Sequence, residues 1–443
     1  MLRAAGDCVG EAALEDHDAA LDRFVSRALG GDLPKSALDQ AALGVSQGGL
    51  GFRRATGLAL PAFVASRVEA RPFVEHLFAS MANAGVAVPG AMALYDAQTA
   101  AAAERVGSGL SAVRGELAGT FCQTASEAAQ RQFEAIRRGE RLEQPGAPVG
   151  AGRAADHLLG GERGSEDPEH PASGAARRPR LQRLLATLVD KQHLEALNAS
   201  PEDTPDSQRL ADVAHETSSA EWLWALDPAQ PESLEPDAYV PAVRMRLGAG
   251  FALEPLRCAC CGGTLDPGGT HSTCCALGES TRGHNGVQDI VLDLALVADS
   301  TAEKEVIGLL DTAPGLRPAD VLTSAVTPGV TTALDVGIAA PAAQGAGEDC
   351  TEAMRVRKRR KYAKYLPALE AEGVVYKPMV WSCWGREHPD TTAALTSLAR
   401  QAARRRGLGT HKELLRQTRA RVGAALARRT SAMLRACLPR AVS

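Results

Sequence analysis

The run Val321-Leu322-Thr323-Ser324-Ala325-Val326, Thr327-Pro328-Gly329-Val330, Thr331-Thr332-Ala333-Leu334-Asp335-Val336-Gly337-Ile338 decides how the chain is read. A short apolar run and a β-branched, alternating run flank a single turn signal, which predicts two strands joined at Pro328-Gly329. With a two-residue loop, Asp320 faces Gly337 and Asp335 lies diagonally across on the same face. Diagonal same-face neighbours are about 7–8 Å apart, close enough for both carboxylates to reach one divalent ion. Upstream, Glu305 is expected on a helix. Downstream, Lys358, Lys361 and Lys364 crowd a helix expected from Arg355 to Tyr365, and a last strand from Val374 to Trp381 completes the sheet. Acids that hold Mg²⁺ at Asp320 and Asp335, with Glu305 and with Lys358 or Lys361, are the catalytic parts a metal-dependent phosphodiesterase needs. Taken singly, Asp320 and Asp335 read as a turn acid and a solvated strand residue, so only their shared context makes them a candidate site.

Ahead of the hairpin lie Cys258, Cys260, Cys261, His271, Cys274 and Cys275. Cys258-x2-Cys261 places two thiolates on one tight knuckle, and Asp266-Pro267-Gly268-Gly269 is a turn that folds the second half onto the first. Cys258, Cys261, His271 and Cys275 are the expected zinc ligands, with Cys260 and Cys274 near enough to substitute. A unit this short depends on its metal for folding. Half of the ten cysteines fall in this cluster, a distribution that argues for metal binding in a reducing, intracellular compartment rather than for a disulfide framework.

With 443 residues the chain has room for about two to four domains, and only 4% of it is aromatic. Many alanines and few aromatics favour helices with a light core. The expected class is α+β: a mainly helical N-terminal part (1–140), a flexible linker rich in Gly and Pro (141–180), a helical segment (181–257), a zinc knuckle (258–276), a small α/β domain (280–390) and a basic helical tail (391–443). Trp222 and Trp224 read as core or interface anchors, with base stacking as the functional alternative. No apolar stretch is long enough to span a membrane.

The formal net charge of −4 hides segments of opposite sign. Arg355, Arg357, Lys358, Arg359, Arg360, Lys361 and Lys364 share one helix with Tyr362 and Tyr365. From Arg400 to Arg440 many arginines face the single acid Glu413. Either run could be a solvated face. Placed behind a candidate phosphate-cutting site, the first reads better as DNA-backbone contact, and the second as an amphipathic helix on nucleic acid or a surface helix of the same domain.

The order of these motifs resembles the C-terminal region of LINE-like (non-LTR) retrotransposon polyproteins that cut their target with a restriction-like endonuclease. The features that carry the resemblance are the CCHC-like cluster, Arg282-Gly283-His284-Asn285, Glu305, Arg317-Pro318-Ala319-Asp320, Asp335-Val336 and Lys361-Tyr362-Ala363-Lys364-Tyr365. An earlier stretch, Gly48-Gly49-Leu50-Gly51-Phe52-Arg53 before an alanine-rich helix ending near Ser66, resembles the region that follows their reverse-transcriptase core. The polymerase Tyr-x-Asp-Asp strand has no counterpart, since Tyr95-Asp96 is followed by Ala97. The resemblance implies a PD-(D/E)xK-type fold, structural Zn²⁺, catalytic Mg²⁺, DNA and element RNA as partners, and a nuclear setting. It assigns nucleic-acid contact to Arg282 and His284, alongside Arg357, Arg359, Arg360 and Lys364. The chain departs from the family at Gly283, where a basic residue is usual, in its doubled cysteines, and at Gly337, where many such nucleases carry lysine two residues after the acid. Retained cleavage is therefore left open. The alternatives are a non-catalytic zinc-dependent nucleic-acid-binding protein and a protein-interaction adaptor.

Overall fold

The computed structural model describes residues 9–86, 88–111, 181–199, 204–225, 227, 229–252, 254–311, 313–327, 329–407 and 410–439, so the linker expected at 141–180 lies outside the described residues. Helices α1 (Glu11–Ala28), α2 (Lys35–Ala42), α3 (Ala55–Asn83), α4 (Ala91–Ser111), α5 (Leu181–Asn198), α6 (Thr204–Val213) and α7 (Pro236–Arg246) come first. The chain divides into two compact units, Met1–Glu15 with Ala55–Gln192, and Asp16–Arg54 with His193–Ser443.

In the first unit, Phe63, Val64 and Ala65 of α3 pack with Ala102, Ala103 and Val106 of α4 and with Leu181 and Leu185. Alanines at the contact let the backbones approach closely. Tyr95-Asp96 has a structural role here. The Arg67 guanidinium sits 3.7 Å from the Tyr95 ring centroid, Tyr95 Oη donates to the Arg67 carbonyl, and Arg71 pairs with Asp96 at 2.8 Å.

The second unit contains the glycine turn. Gly48 has φ +87°, and a Cβ on Gly49 would stand 2.1 Å from the Leu43 carbonyl oxygen, so the turn needs both glycines. Phe52 then packs edge-on to Phe24. Leu29, Ala37, Ala41 and Leu50 form a core with Trp222, Leu223, Val243 and Leu247. Trp222 is a buried anchor, while Trp224 is exposed.

A two-stranded ribbon, β1 (Leu256–Arg257) with β2 (Thr264–Leu265), leads through the short helix α8 (Ser272–Cys275) to α9 (Leu277–Ala298). The main sheet runs β3 (Glu303–Val306), β4 (Ala319–Thr327), β5 (Val330–Ala339) and β6 (Val374–Ser382), in that spatial order. The first three strands are antiparallel, and β6 joins parallel to β5. A parallel neighbour needs a long crossover, which α10 (Cys350–Tyr362) and α11 (Leu366–Ala371) supply. Helices α12 (Pro389–Arg406) and α13 (Lys412–Cys437) end the chain. Residues alternate between faces along a strand. Val321, Leu334, Val336, Met379 and Trp381 accordingly join Val291 and Leu294 of α9, Leu395 and Leu398 of α12 and Leu426 of α13. Ala333 and Tyr376 meet Tyr362 and Leu369 on the other face. Each large apolar side chain buried this way contributes about 1.5–3 kcal/mol.

Three sequence expectations are corrected. Glu305 is not helical; it lies on edge strand β3 with φ +52°. The hairpin register is not the uniform two-residue-loop register. Thr327 pairs with Val330, but an irregularity follows, and Val321 pairs with Leu334. Its cause is Asp299, whose Oδ2 accepts the Ser324 N–H at 2.8 Å and the Thr323 hydroxyl at 2.9 Å, drawing that stretch off the ladder. Helix α10 starts before Arg355, because Asp349 caps it by accepting the Thr351 and Glu352 N–H groups.

The basic tail is built into the fold. Along α13 thirteen residues are buried, and Arg416, Arg419, Arg421 and Arg435 pair with Glu221, Glu387, Asp293 and Asp237. Where α9 and α13 cross, a Cβ on Gly283 would come 2.3 Å from Arg429 Cγ, whereas one on Gly286 would meet nothing within 4 Å. Ala at an open helical position stabilises by about 0.5–1 kcal/mol, and overpacking costs about 1–3 kcal/mol. Gly286→Ala should therefore raise the urea midpoint of the full chain and Gly283→Ala should lower it. Equal shifts of the same sign would show that the crossing does not need the glycine.

Candidate active site and metal centre

The metal centre grows from the ribbon. The Cys258 N–H donates to the Gly263 carbonyl and the Gly262 N–H to the Cys258 carbonyl, closing a knuckle that exposes Cys260 and Cys261. Asp266 then organises the return. Its carboxylate accepts the N–H groups of Thr270 at 2.8 Å and His271 at 2.7 Å, and α8 carries Cys275 inward. Cys258 Sγ lies 3.6 Å from Cys275 Sγ, and Cys261 Sγ lies 3.3 Å from His271 Nε2. Ligand atoms of Cys258, Cys261, His271 and Cys275 all fall within 4.8 Å of one another. Zn–S bonds of about 2.3 Å in a tetrahedron keep their ligand atoms within that span, so these four residues could hold a metal ion such as zinc. Cys274 points away, to the His271 carbonyl. Burial pushes the Cys258 thiol up, but the Cys261 and Cys260 N–H groups and the neighbouring thiols outweigh it and bring the group down to about 6, toward the thiolate a metal needs.

The second cluster sits on β4 and β5. The Val321–Leu334 pairing, carried one residue outward, sets Asp320 across from Asp335 rather than diagonal to it. Asp335 is buried, with 6% exposure. Lys358 Nζ of α10 donates to its Oδ1 at 2.7 Å, and Tyr376 Oη of β6 donates to its Oδ2. Burial pushes the Asp335 carboxyl above the ordinary range, against the pull of Lys358 and Tyr376. Asp320 accepts the Val336 N–H at 2.7 Å, and His284 Nε2 of α9 stands 3.4 Å from the same oxygen. Burial opposes ionisation of Asp320, but His284 and Lys358 prevail and hold it below its usual value. Gln288 of α9 donates to the Asp320 carbonyl, fixing the strand end against the helix.

The lysine comes from α10 because Gly337 leaves room for it. A Cβ at 337 would lie 2.6 Å from Lys358 Cε. Lys361 does not bond either acid. It lies over the Tyr362 ring at 4.8 Å, and the hydrogen bond to Tyr362 followed by the charges of Asp335 and Asp320 raise its pKa. Glu305 lies on the strand next to Asp320, but its carboxylate pairs on the surface with Arg317 at 2.6 Å. Arg282 is also turned outward, to Glu279. Arg357, Arg359, Arg360 and Lys364 are exposed on α10 and the turn after it, and the three arginines carry no ion pair among the described residues. Sequence reasoning missed Tyr376 and Gln288, which carry no motif. Gly337 inside a strand was the available signal of a close approach.

The fold and these clusters define an α+β protein with a Cys/His centre able to hold a metal and a separate acid–lysine–histidine cluster on the sheet. No protein-family model matches the chain, and no curated protein matches it. None of the described helices is long and apolar enough to cross a membrane.

Removing one partner from a buried ion pair costs about 3 kcal/mol or more, while an exposed pair contributes about 0–1 kcal/mol. Lys358→Ala should therefore destabilise the chain by about 3 kcal/mol in denaturant titrations, and Arg317→Ala by less than about 1 kcal/mol. Equal losses would mean that Asp335 does not depend on Lys358.

Proposed function

We propose that this chain is a retrotransposon-derived, restriction-like endonuclease module that binds DNA and nicks one strand. The observation that carries the reading is the convergence of Asp320 and Asp335 on paired strands with Lys358 and His284 around them. Two hard carboxylates suit Mg²⁺, and Asp320, at 19% side-chain exposure, is open enough to share a ligand. Mg²⁺ held by Asp320 and Asp335 would supply phosphate polarisation and an activated water. The chain's own groups do the remaining work. Lys358 places fixed positive charge where negative charge develops on phosphate, and Tyr376 keeps the Asp335 carboxylate oriented. His284 can hold or release a proton at Nε2 beside Asp320. Arg357, Arg359, Arg360 and Lys364 supply backbone contacts whose strength falls with salt. The Cys/His centre, read as zinc, fixes the start of α9, which carries His284. In this role the chain would work in the nucleus on DNA, with element RNA as a second partner.

One observation favours a second reading, a non-catalytic zinc-dependent nucleic-acid-binding protein. Asp335 is nearly enclosed and both of its oxygens are engaged, as a fold-holding residue would be.

The test is plasmid nicking by the full chain with Mg²⁺, alongside Asp320→Ala, Asp335→Ala and Lys358→Ala. Nicking is expected from the parent chain, none above background from either aspartate variant, and a loss of about 10²–10³-fold for the lysine variant. Unchanged nicking by both aspartate variants would remove the proposed site. Salt-sensitive DNA binding with no nicking by the parent would establish the second reading.

A further inference from the structure

A second set of thiols meets the same knuckle from the far end of the chain. Sγ atoms of Cys258, Cys260 and Cys437 also lie within 4.8 Å of one another, and Cys258 belongs to both groups. Cys437 is the last residue of α13, fully buried. The backbone holds the helix end in place. The Ala259 N–H donates to the Cys437 carbonyl at 2.8 Å, and Cys260 Sγ donates to the Ala436 carbonyl at 3.1 Å. We propose that the knuckle is a two-metal thiolate cluster. One ion is bound by Cys258, Cys261, His271 and Cys275, and a second thiophilic ion, zinc or cadmium, by Cys258, Cys260 and Cys437, with the Cys258 thiolate bridging.

The chemistry supports a bridge. A tetrahedral zinc centre is complete with four donors, so the first group has no use for two more cysteines, yet both converge on one of its sulfurs. A thiolate has lone pairs enough for two metals, and the second ion's remaining position is open to water. Binding takes the thiol protons of Cys260 and Cys437 to solvent, as thiolate ligation requires. The alternative is that Cys437 is a small apolar residue closing a helix end. That alternative leaves the meeting of exposed Cys260 with Cys258 and Cys437 unexplained. The second ion would tie the end of the chain to the knuckle that precedes α9, locking α13 at both its centre and its terminus. The metal count does not depend on whether the chain nicks DNA.

The test is zinc content of the full chain, by native mass spectrometry with elemental analysis, after growth in zinc-supplemented medium. Two ions per chain are expected, falling to one in Cys260→Ser and in Cys437→Ser. Cys260 is exposed and outside the first group, so its variant decides the matter even where Cys437→Ser fails to fold. Cobalt substitution gives an independent reading: thiolate charge-transfer absorption should continue to rise beyond one equivalent in the parent chain and stop at one in Cys260→Ser. A single ion in the parent, or the same count in Cys260→Ser as in the parent, would overturn the proposal.

Discussion

The larger unit depends on burying α13, a helix rich in arginine, among α7, α8, α9 and α12. Desolvating guanidinium groups is costly unless each finds an acid or a carbonyl. Glu387 receives Arg419 in a carboxylate that is itself almost wholly enclosed, and Arg428 is held by the Pro231 and Ser233 carbonyls. Arg429 is the poorest case. It has one hydrogen bond, to Ser280, and two nitrogens without a partner, and burial lowers its pKa. Small residues make the approach possible, with Ala420, Gly423, Ala424 and Ala427 on α13 and Gly283 on α9. Because α9 is seated by this crossing, so are His284 and Gln288, the two groups that reach Asp320 from outside the sheet.

A similar dependence sets the carboxylates. The ladder leaves its uniform register at Ser324 because Asp299, at the end of α9, accepts that residue's N–H and hydroxyl and the Thr323 hydroxyl. Several donors on one carboxylate hold Asp299 well below the usual range, despite burial acting the other way. The displaced register is what puts Asp320 directly across from Asp335. A carboxylate at the end of a helix, bonded to the neighbouring strand, thus sets a distance between two acids at the far end of the hairpin.

Periodicity exposed much of the fold. The alternation of Thr331 to Ile338, the apolar run from Val321 and the strand from Val374 all lie within the observed strands, because β-branched and apolar runs bounded by turn residues mark strands even where both faces are covered. The four residues Cys258, Cys261, His271 and Cys275 were readable for a different reason: tetrahedral ligation limits which spacings close. What could not be read depended on partners distant in the chain. Glu305 sits on a strand that exists only as an edge to β4. The tail's positive charge looked free because Glu221, Asp237, Asp293 and Glu387 are far from it in sequence. Cys437 looked isolated for the same reason.

Gly337 and Lys358 are coupled through space. A side chain at 337 and the Lys358 stem compete for the same space, since a Cβ there would come 2.6 Å from Lys358 Cε and 3.3 Å from Met354 Cγ. A lysine on β5 and a lysine reaching across from α10 are therefore exclusive solutions to one electrostatic demand, a cation beside the buried Asp335. The glycine is the complement of the helical lysine, and the two positions form one coupled unit, as residues in direct contact do. The site is for that reason recognised by where Nζ ends, 2.7 Å from Asp335 Oδ1, and not by which element its Cα belongs to.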